Sequence, residues 1–152
     1  MAGPEVPEQP TTLREVTLYF PAPGYDLVPE SRELALPDIE TFAVESLVEE
    51  LFRGMNERWP GGFIPRGSSI RASFIVGDTA IVDIDAPAMT EGWATGARAE
   101  ILTLQSIVHT VVENFEKIER VQILVNGGEV ATLAGHIDLT KPLRPDSSIV
   151  RR

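Results

Sequence analysis

The sequence lacks cysteine entirely and contains only two histidines and two tryptophans in 152 residues. The absence of cysteine excludes disulfide bonds, a thiolate nucleophile and cysteine-ligated zinc or iron–sulfur sites, although it leaves the redox compartment open. Long apolar runs are also missing. None approaches the roughly 20 residues needed to cross a bilayer, and the N-terminus lacks the basic and apolar regions of a secretory signal. Membrane association is therefore expected only through an anchor absent from this chain.

Positive charge is scarce as well. Thirteen Lys and Arg residues stand against 23 Asp and Glu residues, which gives a formal net charge of -10. Because this charge repels phosphate backbones and anionic membrane surfaces, nucleic acid is not expected as a partner. The remaining composition, 43% hydrophobic and 24% charged, is that of a globular protein.

The chain length fits one domain that holds its own core. Residues 1–13 begin "MAGPEVPEQPTT", a Pro- and Glu-rich stretch without a periodic pattern, which is typical of a linker or stalk. Residues 14–143 are predicted to form a single domain. Residues 144–152, "RPDSSIVRR", are predicted to form a flexible C-terminal tail.

The first half of the domain combines one strand pattern with one helix pattern. "REVTLYF" alternates apolar and polar residues, which predicts a strand. Residues 21–37 contain four prolines and a glycine, which indicates a long exposed connection. From Asp38 the apolar period becomes helical, and this helix ends at the loop "WPGGFIPRGSS". Trp59 and Phe63 are expected to anchor that loop by packing.

The second half predicts a hairpin, a helix and another hairpin. "SIRASFIVGDTAIVDIDA" predicts a hairpin with seven inward side chains. These are Ile70, Ala72, Phe74, Val76, Ala80, Val82 and Ile84. A helix follows from about Thr95 to Phe115, and "RVQILVNGGEVATL" predicts a hairpin with an Asn126-Gly127 turn. The order β-α-β-β-α-β-β predicts an α+β two-layer sandwich, in which two helices cover one face of a mixed or antiparallel sheet.

One set of side chains on the second helix could carry catalysis. Ser106, His109 and Glu113 lie three and four residues apart and could act as a nucleophile, a base and an orienting carboxylate. No glycine-rich turn accompanies them to supply an oxyanion hole, and regular helical spacing often produces such triples. We interpret them as a solvated helix face, and no catalytic residue is predicted.

Two further sets could hold a ligand. Asp83 and Asp85 point the same way along a strand and could share a cation with Asp78. The calcium-loop pattern is missing, which favours an exposed strand face whose charges discourage edge pairing. His136 with Asp138 lacks a third ligand or a nucleophile at a recognised spacing, and the nearby glycines are explained by turns. No metal or cofactor site is predicted.

Exposed aliphatic side chains remain as the main candidate for function. Leu102 and Ile107 lie off the main apolar stripe of the second helix, and other aliphatic residues lie on the sheet face away from the helices. Such residues on an acidic protein favour contacts with other proteins. The predicted interaction surface comprises Ile75, Ile81, Asp83, Asp85, Leu102 and Leu124.

Several segments, in this order, resemble the GerM (GerMN) domain of sporulation and spore germination proteins. They are "VTLYFP", "LVPESREL", "LVEELFRG", "FIPRGSSI", "TAIVDID", "AEILTLQSIVHTVVENF" and "VQILVNGGEVATLAGHIDLTKPL". The resemblance covers about Val16 to Pro142. It implies a compact α/β unit similar in shape to the ring-building modules of secretion and sporulation complexes, and it brings no catalytic residues. Because this chain holds one such domain, a role in sporulation is not implied.

The resemblance also implies a location outside the cytoplasm, on a lipoprotein or membrane-anchored chain with residues 1–13 as the stalk. The first functional hypothesis is a non-catalytic cell-envelope module that assembles with itself or with other envelope proteins through a sheet face or edge. The second is a peptidoglycan-binding accessory domain, for which "WPGGF" and Trp93 supply aromatic platforms. An enzyme that uses His109 or His136 is the least favoured hypothesis.

Overall fold

The computed structural model describes residues 9–22, 26–59, 63–86, 97–129, 131–132 and 137–151. These residues form an α+β fold with two helices, five strands and a short 3-10 helix, which confirms the predicted class. In chain order the elements are β1 (Thr11–Ala22), β2 (Asp26–Pro37), α1 (Glu40–Arg58), β3 (Ser69–Val76), β4 (Thr79–Asp85), α2 (Ala97–Asn114), β5 (Arg120–Val125) and the 3-10 helix (Ser147–Ile149). The observed order is therefore β-β-α-β-β-α-β.

The prediction of an exposed connection over residues 21–37 is wrong, because most of it forms β2. This strand pairs with β1 in a two-stranded antiparallel sheet. The register explains how β2 tolerates its central proline. Pro29 lies opposite Tyr19, whose backbone N–H turns away from β2 and donates to the hydroxyl of Thr110. The ladder therefore needs no N–H from Pro29, and proline is excluded only where a ladder needs one.

The outer edge of β1 is closed by polar side chains of α2. Asn114 accepts a hydrogen bond from the N–H of Thr17 at 3.0 Å and donates to its carbonyl at 2.8 Å. Tyr19 is bonded in the same way by the hydroxyls of Ser106 and Thr110, at 2.7 and 3.1 Å. A helix therefore satisfies edge groups that would otherwise need another strand or water.

The remaining strands form a second, mixed sheet in the order β3-β4-β5. β3 and β4 are antiparallel, whereas β4 and β5 are parallel and joined by α2 as the crossover. Asn126 and Gly127 have φ angles of 51° and 85°, which confirms the predicted tight turn after β5. Beyond the turn, the described residues pair back through two isolated bridges, between Val125 and Gly128 and between Val121 and Leu143. Residues 130 and 133–136, in the predicted return strand, lie outside the described residues.

A β-bulge between Ile70 and Ala72 reverses which side chains of β3 face the core. After the bulge Ser73 is buried, whereas Phe74 and Val76 are exposed. The prediction that Phe74 and Val76 face the core is therefore wrong, because one inserted residue moves every later side chain to the other face. The predicted inward residues of β4 are buried, namely Ala80, Val82 and Ile84.

The first helix, α1, packs against β1, β2 and β3 through one apolar face. The predicted members of this face are all buried: Ala43, Val44, Leu47, Val48, Leu51 and Met55. Gly54 allows the helix to approach β1 closely, since a Cβ there would lie 2.6 Å from the ring of Phe20. The guanidinium groups of Arg32 and Arg58 lie 5.4 and 3.9 Å from the centroid of the same ring. Phe20 is therefore fixed by the helix backbone and by two cations.

The second helix, α2, is buried around most of its circumference. Leu102 and Ile107, which were predicted to be exposed, are both fully buried. Leu102 belongs to a second apolar cluster with Tyr19, Leu27 and Ile149. The prediction failed because an apolar stripe along a helix indicates only one buried face. In addition, α2 packs against a neighbour near the C-terminus of the chain.

That neighbour is the stretch 144–151, which was predicted to be a flexible tail. The side chain of Gln105 on α2 accepts from the N–H of Asp146 at 2.8 Å. Ile149 is buried, and the N–H of Arg151 donates to the carbonyl of Leu27 on β2 at 2.7 Å. The prediction of an unstructured tail is therefore wrong for residues 144–151, because one apolar side chain and several backbone bonds fix this stretch to the domain.

Candidate interaction surface

The outer face of the second sheet carries two large exposed apolar side chains. Phe74 and Val76, on the outermost strand β3, are 54% and 64% exposed. Phe74 lies directly opposite Ile81, which is half-buried. Leu124, also half-buried, lies on β5 opposite Asp83. We refer to Phe74, Val76, Ile81 and Leu124 as the outer apolar face.

The backbone edge of β3 beside this face is closed by α1. Glu49 accepts a hydrogen bond from the N–H of Ile70 at 2.5 Å, and Glu45 accepts from the N–H of Ser73 at 3.0 Å. The hydroxyl of Ser73 donates to the carbonyl of Thr41 at 2.8 Å. These contacts occupy the edge N–H groups of Ile70 and Ser73, so the first half of the β3 edge is already bonded to α1.

One end of the sheet is fixed by a polar cluster at the Asn126-Gly127 turn. Asp83, which is only 5% exposed, accepts a hydrogen bond from the N–H of Gly127 at 2.9 Å. Arg71 lies 3.8 Å from the other oxygen of this carboxylate, and Asn126 accepts from the N–H of Ala86 at 2.8 Å. The prediction that Asp83 is exposed is wrong, because its carboxylate bonds the backbone of the Asn126-Gly127 turn.

Asp78, at the turn between β3 and β4, has partners different from those of Asp83. Asp78 accepts two hydrogen bonds from Arg120, at 3.2 and 2.9 Å, and one from the hydroxyl of Thr79. The bonds from Arg120 first, and then that from Thr79, lower the pKa of Asp78 to about 2. Asp85 is exposed. Within the described residues, no group of three or more His, Asp or Glu side chains is arranged to hold a metal ion.

The possible catalytic residues of α2 have separate partners. Ser106 is fully buried and its hydroxyl donates to the carbonyl of Tyr19, not to His109. His109 is 8% exposed and bonds through Nε2 to the carbonyl of Asp146 at 2.9 Å. Only Glu113 is exposed. The interpretation as a solvated face is therefore wrong for Ser106 and His109, whose polar groups hold β1 and the C-terminal stretch in place.

A cleft of about 310 Å³ opens where α2 meets the C-terminal stretch. Tyr19 and His109 form one wall, with ring centroids 5.1 Å apart. Burial, and then the nearby charge of Glu113, raises the pKa of Tyr19. Its phenol therefore stays protonated at neutral pH and can serve as a hydrogen-bond donor but not as a base.

The structure redistributes the predicted interaction surface. Ile75 packs against the core and Leu102 is fully buried, so neither belongs to the surface. The predicted residues that stay accessible on the outer side of the sheet are Ile81, Asp85 and Leu124. Phe74 and Val76, its most exposed members, were missed because a bulge leaves no signature in an alternating apolar pattern.

The remaining candidates are aromatic residues and a histidine. Trp59 and Phe63 pack edge to face with ring centroids 5.4 Å apart, and both are half-buried against the core. The predicted packing of Trp59 and Phe63 is thereby confirmed, whereas residues 60–62 lie outside the described residues. Asp138 is exposed and accepts hydrogen bonds from the backbone N–H and the hydroxyl of the residue two positions later. Trp93 and His136 lie outside the described residues.

Neither helix, as far as the described residues extend, combines the length and apolar composition that a membrane crossing requires. Among solved structures, a candidate lipoprotein from Clostridium perfringens aligns with a TM-score of 0.58 and 18% identity, over 92% of this chain and 93% of that chain. The tandem GerMN domains of the sporulation protein GerM from Bacillus subtilis align with a TM-score of 0.60 and 14% identity. This alignment covers 97% of the present chain and 50% of the tandem chain.

These likenesses establish a shared fold, and the chain spans about half the length of the tandem GerMN protein. No curated protein sequence is significantly similar to the chain. Residues 17–131 match the sequence pattern of the Germane family, described as sporulation and spore germination. The predicted resemblance to GerM domains is thereby confirmed, and the chain belongs to the Germane family.

Proposed function

We propose that the chain is a non-enzymatic assembly module of the cell envelope, which binds a protein partner or a second copy of itself through the outer apolar face. The observation that carries this proposal is the exposure of Phe74 and Val76, two residues apart on one side of β3. Covering two such side chains removes apolar surface from water, which contributes roughly 2 to 4 kcal/mol toward association. Because Glu45 and Glu49 already bond the edge N–H groups of Ser73 and Ile70, we expect a partner to pack on the face.

The extracytoplasmic location in the proposal is supported by relatives of known structure. The candidate lipoprotein from Clostridium perfringens shares the fold, and covalent lipid holds a protein at a membrane surface. The Pro- and Glu-rich residues 1–13 would then act as a stalk between an anchor and the domain.

The non-enzymatic part of the proposal is supported by the contacts of Ser106 and His109. Nucleophilic catalysis by a serine needs a base within hydrogen-bonding distance of its hydroxyl. Here the hydroxyl of Ser106 is committed to a backbone carbonyl of β1, and the imidazole of His109 to a carbonyl of the C-terminal stretch.

The test compares the double variant Phe74→Ser/Val76→Ser with Leu13→Ser in the native host. Leu13 is 63% exposed on β1 and serves as a matched apolar control away from the outer apolar face. After crosslinking in intact cells, we expect the wild type and Leu13→Ser to give the same crosslinked complex and the double variant to lose it. Circular dichroism checks that both variants fold. A complex that survives in the folded double variant would contradict the proposal.

Peptidoglycan binding is the alternative function. Trp59 packs against Phe63 and the core, which leaves only part of its ring for stacking on a sugar. Pull-down with isolated peptidoglycan separates the two functions. Retention that is lost in Trp93→Ala and kept in Phe74→Ser/Val76→Ser would favour cell-wall binding over assembly.

A further inference from the structure

The strands of the described residues differ in how their outer edges are closed. The edge of β1 is bonded by side chains of α2, and the edge of β3 by carboxylates of α1. The edge of β5 is covered by the chain after it, where Val121 and Leu143 exchange two backbone hydrogen bonds of 2.9 and 2.8 Å. The outer edge of β2 has one such contact, between Leu27 and the Val150–Arg151 stretch.

Among the described residues, the middle of β2 therefore has backbone groups without hydrogen-bond partners. Thr17 and Ser31 lie opposite each other, and because both polar groups of Thr17 turn to Asn114, those of Ser31 turn away from β1. The same alternation turns the N–H and carbonyl groups of Glu33 and Ala35 outward. All three residues are exposed, and no hydrogen bond within the described part of the chain reaches these groups. Proline at positions 29 and 37 bounds this open edge.

Two acidic side chains lie beside the open edge, and no ion pair within the described residues compensates them. Glu15 and Glu33 lie directly opposite each other on β1 and β2, both exposed. Like charges in this arrangement destabilise a strand pair. The neighbouring cation Arg32 faces the other side of the sheet, where it bonds Glu50 at 3.0 Å. A positive side chain arriving on the outer side would relieve the repulsion.

We infer that β2, between Pro29 and Pro37, binds an extended peptide segment of a partner protein as an added strand, with a Lys or Arg of that segment against Glu15 and Glu33. Main-chain hydrogen bonds to Ser31, Glu33 and Ala35 hold the segment, and the two carboxylates select its charge. A second copy of the chain fits poorly, because pairing about Glu33 would oppose two copies of this residue on chains of net charge -10. The inference rests on the proposed function only in that both give the chain a protein-binding role. The peptide site lies on the sheet of β1 and β2, whereas the outer apolar face lies on the sheet of β3, β4 and β5.

The direct test is a titration of the isotope-labelled domain with the peptide acetyl-Thr-Val-Thr-Lys-Thr-Val-Thr-amide, followed by NMR. We expect saturable shifts of the amide signals of Ser31, Glu33 and Ala35. The same peptide with Glu in place of Lys should bind about two- to fivefold more weakly, as loss of an exposed ion pair predicts. Equal affinity for the two peptides, or the absence of shifts at these three amides up to the solubility limit, would overturn the inference.

Two variants locate the site. Glu33→Pro removes one free edge N–H without breaking a bond to β1 and should abolish the shifts, whereas Glu33→Gln keeps the edge and should remove most of the preference for Lys. Glu57→Gln, an exposed acidic position on α1, is the matched control and should bind as the wild type does. Analytical ultracentrifugation checks whether the chain forms a dimer. A dimer that Glu33→Pro disrupts would show that a second copy binds the edge, and it would overturn the inference that a partner peptide does. Failure of the titration leaves the outer apolar face untouched, because its test uses Phe74 and Val76.

Discussion

Asn114 on α2 binds both backbone polar groups of Thr17 on β1, with its amide oxygen 3.0 Å from the nitrogen and its amide nitrogen 2.8 Å from the carbonyl oxygen. A side chain thereby occupies the place of a neighbouring strand. Thr110 and Ser106 lie one and two turns earlier on the same face of the helix and do the same for Tyr19. The helix is thus the crossover connection between β4 and β5, and its side chains also bond the outer edge of β1.

Replacing Asn114 tests this arrangement. Asn114→Ala leaves the N–H and carbonyl of Thr17 without their partners, and we expect it to lower the free energy of unfolding by about 1 to 3 kcal/mol. Urea denaturation followed by circular dichroism measures the change. Glu113→Ala, at the exposed neighbouring position, should shift the midpoint little. Equal shifts in the two variants would show that the bonds to Thr17 contribute nothing specific.

Gly54→Ala tests the close approach of α1 to β1. Alanine favours a helix, but its Cβ would lie 2.6 Å from the buried ring of Phe20, so the helix or the ring must move. We expect a loss of about 1 to 3 kcal/mol in stability, measured by thermal or urea unfolding. Glu57→Ala, on the exposed side of the same helix, changes helix propensity only slightly and serves as the control. A stabilised Gly54→Ala variant would mean that the contact is loose.

Ile149→Ala tests the contribution of the C-terminal stretch. Ile149 is buried with Tyr19, Leu27 and Leu102, so truncation leaves a cavity in this cluster and should cost about 2 to 4 kcal/mol. The nearby exposed Ser147→Ala should be close to neutral. Unfolding curves for the two variants that coincide with the wild-type curve would show that the stretch is dispensable.

The ion pair of Asp78 and Arg120 predicts part of the acid sensitivity. The folded pKa of Asp78 is lowered from 3.8 to about 2, chiefly by the hydrogen bond from Arg120. Ionised Asp78 therefore stabilises the fold above about pH 4, and this contribution is lost as the pH falls from about 4 toward 2. Thermal unfolding from pH 5 to pH 2 should show a shallower decline for Asp78→Asn than for the wild type, with Asp85→Asn as control. Parallel declines for wild type and Asp78→Asn would show that this ion pair does not contribute to the acid sensitivity.

The α+β class, the inward face of α1 and the Asn126-Gly127 turn are predictable from the sequence because each depends on local period or turn chemistry. The β2 strand was missed because Pro29 is acceptable only at a position whose N–H faces outward, and that depends on the pairing with Tyr19. Period alone carries no information about register.

The candidate surface was harder to predict than the fold. Phe74 and Val76 fit a strict alternation that places them in the core, and only the bulge after Ile70 turns them outward. Leu102 is buried because residues distant in sequence, including Ile149, fold back over it. Both outcomes depend on contacts between distant parts of the chain, which a period in one segment does not encode.

Site-specific photocrosslinking in living cells tests the assembly role most directly. A p-benzoylphenylalanine residue replaces Phe74 in one protein and Glu57, an exposed residue of α1, in another, each produced at native level in the native host. We expect a discrete crosslinked protein product at the position of Phe74 and none at that of Glu57, because only Phe74 lies on the outer apolar face. No protein product at Phe74, or equal products at both positions, would contradict the proposal that this face binds a partner.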